Sequence, residues 1–144
     1  MKTINHKYWI LVASYNHVLN GVKAGIAQVC HGKAAPLRRM SLGDGIIYYS
    51  PKMEFDLDHP CQQFTAIGFV EGDEVFPYDM GNGFIPYRRK IRYIESTPVA
   101  IKPLISSLEF ITDKTKWGYH FRFGAFEIME KDFCFIAGQM NVNW

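Results

Sequence analysis

Short runs of β-branched and aromatic residues, each closed by a glycine, proline or asparagine, constrain this chain more than any other feature. Tyr8 to Ser14 (YWILVAS) is too short for a buried helix and rich in strand formers, so it reads as a buried strand with a polar exit at Ser14, Tyr15 and Asn16. Gly43-Asp44-Gly45 turns the chain into a second run, Ile46 to Ser50. Phe64 to Phe76 reads as one long strand or as a hairpin turning between Glu71 and Glu74, with Gly68 as a bulge. Residues 90–101 (KIRYIESTPVAI) alternate polar with apolar and predict a strand with one wet face, and YHFRFGAFEI at 119–128 is strand-like.

Helical periodicity appears only in short pieces between these runs. Asn16 is placed to cap about two turns that end near Gly21 or Gly25, Pro36 opens a further turn, and Pro103 precedes another. Glu130, Lys131 and Asp132 start a last amphipathic helix through Phe133, Ile136 and Met140. Five or six strands and four short helices without strand–helix–strand regularity predict an α+β fold, a small, mixed but mostly antiparallel β-barrel flanked by short helices. At 144 residues the chain is expected to form a single domain over 1–144.

Composition excludes several function classes. A net charge of +2 is too small for dense neutralisation of a nucleic-acid backbone, so any such contact is local. No run approaches the ~18 apolar residues of a membrane helix. The three cysteines lack paired spacing and the N-terminus lacks an apolar leader, which predicts a reduced, cytoplasmic protein with no membrane partner. Aromatics at 15% exceed what one small core needs, so some are expected to line a pocket.

Three segments carry candidate binding chemistry. Gly25 to Lys33 (GIAQVCHGK) sets Gln28, His31 and Lys33 between glycines that let a ligand approach the backbone, with Ile26 and Ala27 in the same stretch and Cys30 reading as a small packed side chain. Ser14, Tyr15 and Asn16 offer hydroxyls and an amide at a strand exit. The loop from Phe76 to Tyr87, including Phe84, keeps large rings that can stack on a flat ligand. Arg88 and Arg89, with Arg39 upstream, suit phosphate contacts, against the plainer reading of a solvated strand edge. Cys30-His31 and His59-x-Cys61 lack metal-ligand spacing, and Gly32-Lys33 lacks the rest of a phosphate-binding loop, so no metal or cofactor is expected.

Five motifs in order then give a family resemblance: WILVAS at 9–14, GxxQxxHGKxxPLxRM from Gly25 to Met40, GDxIIYYSP at 43–51, GFxPYRR from Gly83 to Arg89, and WGYHFRFG at 117–124. Together they resemble the EVE-domain proteins of the PUA-like superfamily, which are related to YTH domains. The resemblance implies a small β-barrel with a pocket for a modified nucleobase, built from Ser14 to Asn16, Ile26 to Gln28 with His31 and Lys33 beyond, and the Phe76 to Tyr87 loop. Where a YTH cage tryptophan would stand this chain carries Ala27, which points to a base gripped more by hydrogen bonds than by an aromatic cage.

The expected function is therefore a non-enzymatic module that binds a modified base in DNA or RNA, as a monomer or weak homodimer. Ser14, Asn16, Gln28 and His31 would read polar edges, Tyr15 and Phe84 would stack, and Lys33, Arg39 and Arg88 would meet phosphate. The rivals are a nucleoside-modifying hydrolase of the PUA-like ASCH type and a module for a small metabolite or a protein partner.

Overall fold

The computed structural model describes residues 5–142. Within them the strands are β1 (Tyr8–Val12), β2 (Ile26–Ala27), β3 (Gly45–Lys52), β4 (Pro60–Pro77), β5 (Tyr87–Ile94), β6 (Val99–Ala100) and β7 (Ala125–Ile128). The helices are α1 (Tyr15–Ala24), α2 (Ala35–Arg38) and α3 (Glu130–Gln139), joined by short 3-10 turns. The strands form one sheet in the order β2-β5-β4-β3-β1-β7, with β6 added on β4. All pairings are antiparallel except β1 with β3, so the mixed, mostly antiparallel α+β class is as expected. The hydrogen-bonded path runs from β2 to β7 without closing into a barrel.

The unbroken apolar run of β3 follows from burial on both faces, since successive side chains point to opposite sides of a sheet. Ile47 and Tyr49 join Ile10, Phe64, Ile67, Phe133 and Ile136 in one core, which α3 covers. Ile46 and Tyr48 join Trp9, Leu11, Val18, Leu37 and Ile91 in a second core beneath α1 and α2. Full burial of each such side chain stabilises by about 1.5–3 kcal/mol. Asp44 ties the entry to β3 by accepting from Trp9 Nε1 at 3.0 Å, Ser41 N at 2.8 Å and Lys7 N at 3.1 Å.

Three local expectations change, and for residues 64–76 the long-strand alternative holds. Ser14, not Asn16, holds the N-cap position of α1, and its hydroxyl donates to Asn16 Oδ1 at 2.8 Å instead of capping the helix. Residues 64–76 form one strand within β4, whose register slips between Val70 and Val75. Gly68 lies in regular ladder opposite Tyr93, where a methyl group would come within 2.7 Å of the Arg92 carbonyl oxygen, so it serves close approach and not a bulge. Only Ala125–Ile128 of the 119–128 segment is strand; Tyr119–Arg122 is a 3-10 turn. Trp117 and Phe121 turn inward to the first core while Tyr119 and Phe123, which a strand would set on the same face, are exposed, a division that helical turns satisfy and a strand does not.

Candidate functional site

A cavity of about 320 Å³ opens where β1 runs into α1, at the low end of the ~300–1,000 Å³ range of small-ligand pockets. Val12, Ala13 and Ser14 form one wall, with His17 one turn along α1. Gln28 to Gly32 form the second wall, Phe84 the third, and Phe55, Phe121, Arg122 and Gly124 complete the lining.

The second wall depends on an uncommon backbone. Cys30, His31 and Gly32 have φ of 51°, 58° and 83°, a left-handed turn that costs about 1–2 kcal/mol at each non-glycine position. The surroundings hold it there. Gly32 N donates to the Val29 carbonyl at 2.9 Å, and Cys30 packs so tightly on Gly124 that a methyl group there would lie 2.1 Å from its sulfur. Gly32 in turn abuts Pro86. The third wall belongs to the β4–β5 hairpin, laced by Tyr78 N to Pro86 O at 2.9 Å and Met80 N to Phe84 O at 3.0 Å, around a tip of positive-φ residues at Gly81, Asn82 and Gly83.

Gln28 is the best-fixed polar group of the lining. It is 7% exposed, and its main chain is held on both sides by the Tyr48 hydroxyl, which accepts from Gln28 N at 3.3 Å and donates to Gln28 O at 3.2 Å. His17 Nε2 lies 2.9 Å from the same carbonyl. Burial pushes the Tyr48 hydroxyl far above the ordinary tyrosine range, so it stays neutral and keeps both roles. Arg88 Nε donates to Gln28 Oε1 at 3.0 Å, which decides the amide's orientation: the oxygen faces Arg88, and the NH₂ group has no hydrogen-bond partner among the described residues. Around it the site presents apolar and aromatic walls, with His31 edge-on to Phe55 at 5.7 Å between ring centres. Among the described residues no aspartate or glutamate lines the cavity.

Of the residues singled out in the sequence, Ser14, Gln28, His31 and Phe84 meet at this cavity. Tyr15 and Asn16 do not line it; Asn16 is exposed and touches the site through the Ser14 hydroxyl. Ile26 and Ala27 are buried in β2, where the Ile26 carbonyl accepts from the Tyr93 hydroxyl at 2.9 Å, so they support the wall from behind. Lys33 and Arg39 are exposed outside the lining. Arg88 is half-buried, with its guanidinium 3.9 Å from the Tyr78 ring centre, and orients Gln28.

Arg89 corrects the phosphate expectation. It is 4% exposed and donates to the carbonyls of Gly72 at 3.0 Å, Leu37 at 2.9 Å and Met40. Burial lowers its pKa while Asp44 and Asp73 act in the opposite direction. Its side chain staples α2 to β4 and is committed to that task. Lining residues that sequence reasoning passed over are His17, Phe55, Phe121, Arg122 and Gly124. The last three lie inside the WGYHFRFG motif, and His17 stands three residues after Ser14 on one helix face, whereas Phe55 carried no signal.

Among the described residues no helix is long and apolar enough to cross a membrane. The EVE domain model matches residues 7–139. A protein from Bacillus licheniformis described as the UPF0310 protein in the gntR 5′ region is 52% identical, covering 88% of this chain and 86% of that one. The UPF0310 protein YdcG of Bacillus subtilis is 45% identical over 97% and 96%. Among solved structures, protein Atu2648 of Agrobacterium tumefaciens superposes with a TM-score of 0.59 at 13% identity, covering 94% of each chain. The Mmi1 YTH domain, solved in complex with RNA, superposes with 0.62 at 11% identity over 95% of this chain and 79% of that one. These likenesses share the fold, and the matched span together with the close relatives places the chain in a family: it belongs to the EVE domain family.

Proposed function

We propose that this protein is a nucleic-acid-binding module that takes a flipped or unpaired modified base of DNA or RNA into the cavity and performs no chemistry on it. The observation that carries the reading is the Gln28 amide, buried, oriented by Arg88 and left with a free NH₂ at a cavity walled by Phe84, Phe121, Phe55 and His31. Flat walls suit a heterocycle, and a fixed donor selects an edge that carries an acceptor. A buried donor with no partner in the wrong complex discriminates far better than apolar fit alone. The Mmi1 YTH domain of similar fold was solved with RNA, which agrees with this ligand class. The three cysteines are unpaired, in keeping with a cytoplasmic setting.

A lining without carboxylates also favours binding over hydrolysis, because acid–base cleavage of a nucleoside draws on a paired acid and base. Cys30 and His31 both line the cavity, so the hydrolase reading is tested alongside. Calorimetric titration with a panel of modified and unmodified nucleosides is expected to show one preferred base, unchanged by mass after incubation, with Gln28→Ala losing at least tenfold in affinity. Uniform lack of binding at millimolar concentration would overturn the reading, and a mass change would transfer the site to the hydrolase class.

A further inference from the structure

The WGYHFRFG segment does more than complete the cavity wall. Its side chains divide into two sets. Trp117 and Phe121 face the first core, where Phe121 stacks on Tyr49 at 4.1 Å with 28° between planes. Tyr119, Arg122 and Phe123 face outward, Tyr119 and Phe123 being 50% and 49% exposed. Arg122 lies over the Tyr119 ring at 4.2 Å and donates from Nε to the Tyr119 carbonyl at 3.3 Å, while Phe123 meets the same ring edge-on at 5.9 Å. The two exposed rings, 76° apart in plane and held by an inward anchor, present separate preformed aromatic faces, and Arg122 belongs to the cavity lining as well, so this surface continues the cavity outward.

Charge distinguishes this side of the mouth from the other. Residues 113–123 carry Lys114, Lys116, His120 and Arg122 against one acid, Asp113, whose Oδ1 accepts from Thr115 N at 3.0 Å and Thr115 Oγ1 at 2.6 Å. Lys114 is committed to the carbonyls of Ile105 and Leu108, at 3.1 and 2.7 Å, which leaves the exposed Lys116, and the exposed Arg122 through the guanidinium nitrogens other than the Nε engaged with Tyr119, as cations for a ligand. Across the cavity, Phe55 is flanked by Asp56 and Asp58, which repel phosphate, and by Glu54, which lies 2.9 Å from His59 Nδ1. An aromatic surface with cations on one side and acids on the other fits a polyanion whose units also carry flat rings.

We propose that the Tyr119–Arg122–Phe123 surface is a docking site for single-stranded nucleic acid, in which nucleotides next to the captured base stack on Tyr119 and Phe123 and their phosphates meet Lys116 and Arg122. The inference extends the proposed reading of the cavity and directs the strand away from the 54–58 side. It makes the surface responsive to strand length and salt, and indifferent to base identity.

The test uses fluorescently labelled, mixed-sequence 12-nucleotide DNA and RNA strands, with anisotropy read at several salt concentrations. Wild type is expected to bind a strand at low salt with an affinity that falls linearly in log salt. Tyr119→Ala/Phe123→Ala should weaken binding about 30-fold or more, as loss of two base stacks does. Lys116→Gln should reduce the salt slope by about 0.7, one single-strand phosphate contact. A Glu54→Gln/Asp56→Asn/Asp58→Asn variant should leave the slope unchanged. Whether the DNA or the RNA arm is the tighter assigns the source. No strand binding by wild type at low salt, or Tyr119→Ala/Phe123→Ala and Lys116→Gln variants indistinguishable from wild type, would overturn the docking site. Free-nucleoside titration is read separately: a nucleoside that binds while strands gain nothing defeats this surface and leaves the cavity reading intact.

Discussion

Gly32→Ala tests whether the left-handed turn really fixes the cavity wall, because the structure supplies its own control. Gly32 and Gly81 have nearly the same backbone, φ +83° and +85°, so an alanine meets the same left-handed penalty of about 1–2 kcal/mol at either position. Loss of a glycine's freedom from the unfolded chain also affects both variants alike. Only the surroundings differ. A methyl group at Gly81 has nothing within 4 Å, whereas one at Gly32 would lie 2.5 Å from Pro86 Cβ and 2.8 Å from its Cα. Proline is rigid and Pro86 is buried, so relief requires the β4–β5 hairpin to move away, an overpacking cost of about 1–3 kcal/mol.

Gly81→Ala should therefore destabilise by about 1–2 kcal/mol and Gly32→Ala by about 2–5 kcal/mol. For a chain of this length each kcal/mol lowers Tm by about 3–4 °C. Urea unfolding followed by tryptophan fluorescence measures both values. Because the hairpin carries Phe84, Gly32→Ala should also weaken nucleoside binding, while Gly81→Ala, at the tip and outside the lining, should not. Equal destabilisation by the two substitutions would refute the reasoning, since it would mean that Pro86 does not hold the turn in place.

Two further outcomes follow from other parts of the site. Arg88→Ala frees the Gln28 amide to present either its oxygen or its NH₂ to the cavity, so discrimination between 5-methylcytidine and 5-methyluridine, whose ring nitrogen is an acceptor in one and a donor in the other, should collapse toward unity in calorimetry; an unchanged ratio would show that Arg88 does not set the amide. Burial raises the hydroxyl pKa of Tyr48, Tyr49 and Tyr93. Groups raised in the folded state contribute stability that is complete below their unfolded value, about 10, and lost as pH climbs beyond it, so Tm should fall above about pH 10 with phenolate absorbance from these rings appearing only on unfolding. Free titration of all eight tyrosines in the folded protein near pH 10 would contradict that burial.

The fold was legible where burial on two faces leaves a mark in composition. β3 and β1 are short unbroken apolar runs because two cores need them, and residues that need both sides of a sheet are hard to place anywhere else. The strand misread at 119–128 shows the limit of that signal. Tyr119, Phe121 and Phe123 alternate with polar residues as a strand would, yet the turn forms because Trp117 and Phe121 pack on one core through contacts distant in sequence, with Tyr49 and Phe110. Local alternation could not report those partners.

The site was legible in part for a related reason. Gln28 and His31 stood out because glycines flank a polar stretch, and Phe84 because a loop kept its rings. The roles of Arg88 and Arg89 were not legible, although the two are adjacent and chemically identical. On β5 their side chains leave opposite faces of the sheet: one face turns Arg88 to the Gln28 amide, the other turns Arg89 into carbonyls of Gly72, Leu37 and Met40. What a basic run does is thus decided by which face is covered, and α2 covers the Arg89 side here. Arg88 orients the Gln28 amide while its neighbour ties α2 to β4, and under the docking proposal phosphate contact falls to Lys116 and Arg122, on the 3-10 turns beside the mouth.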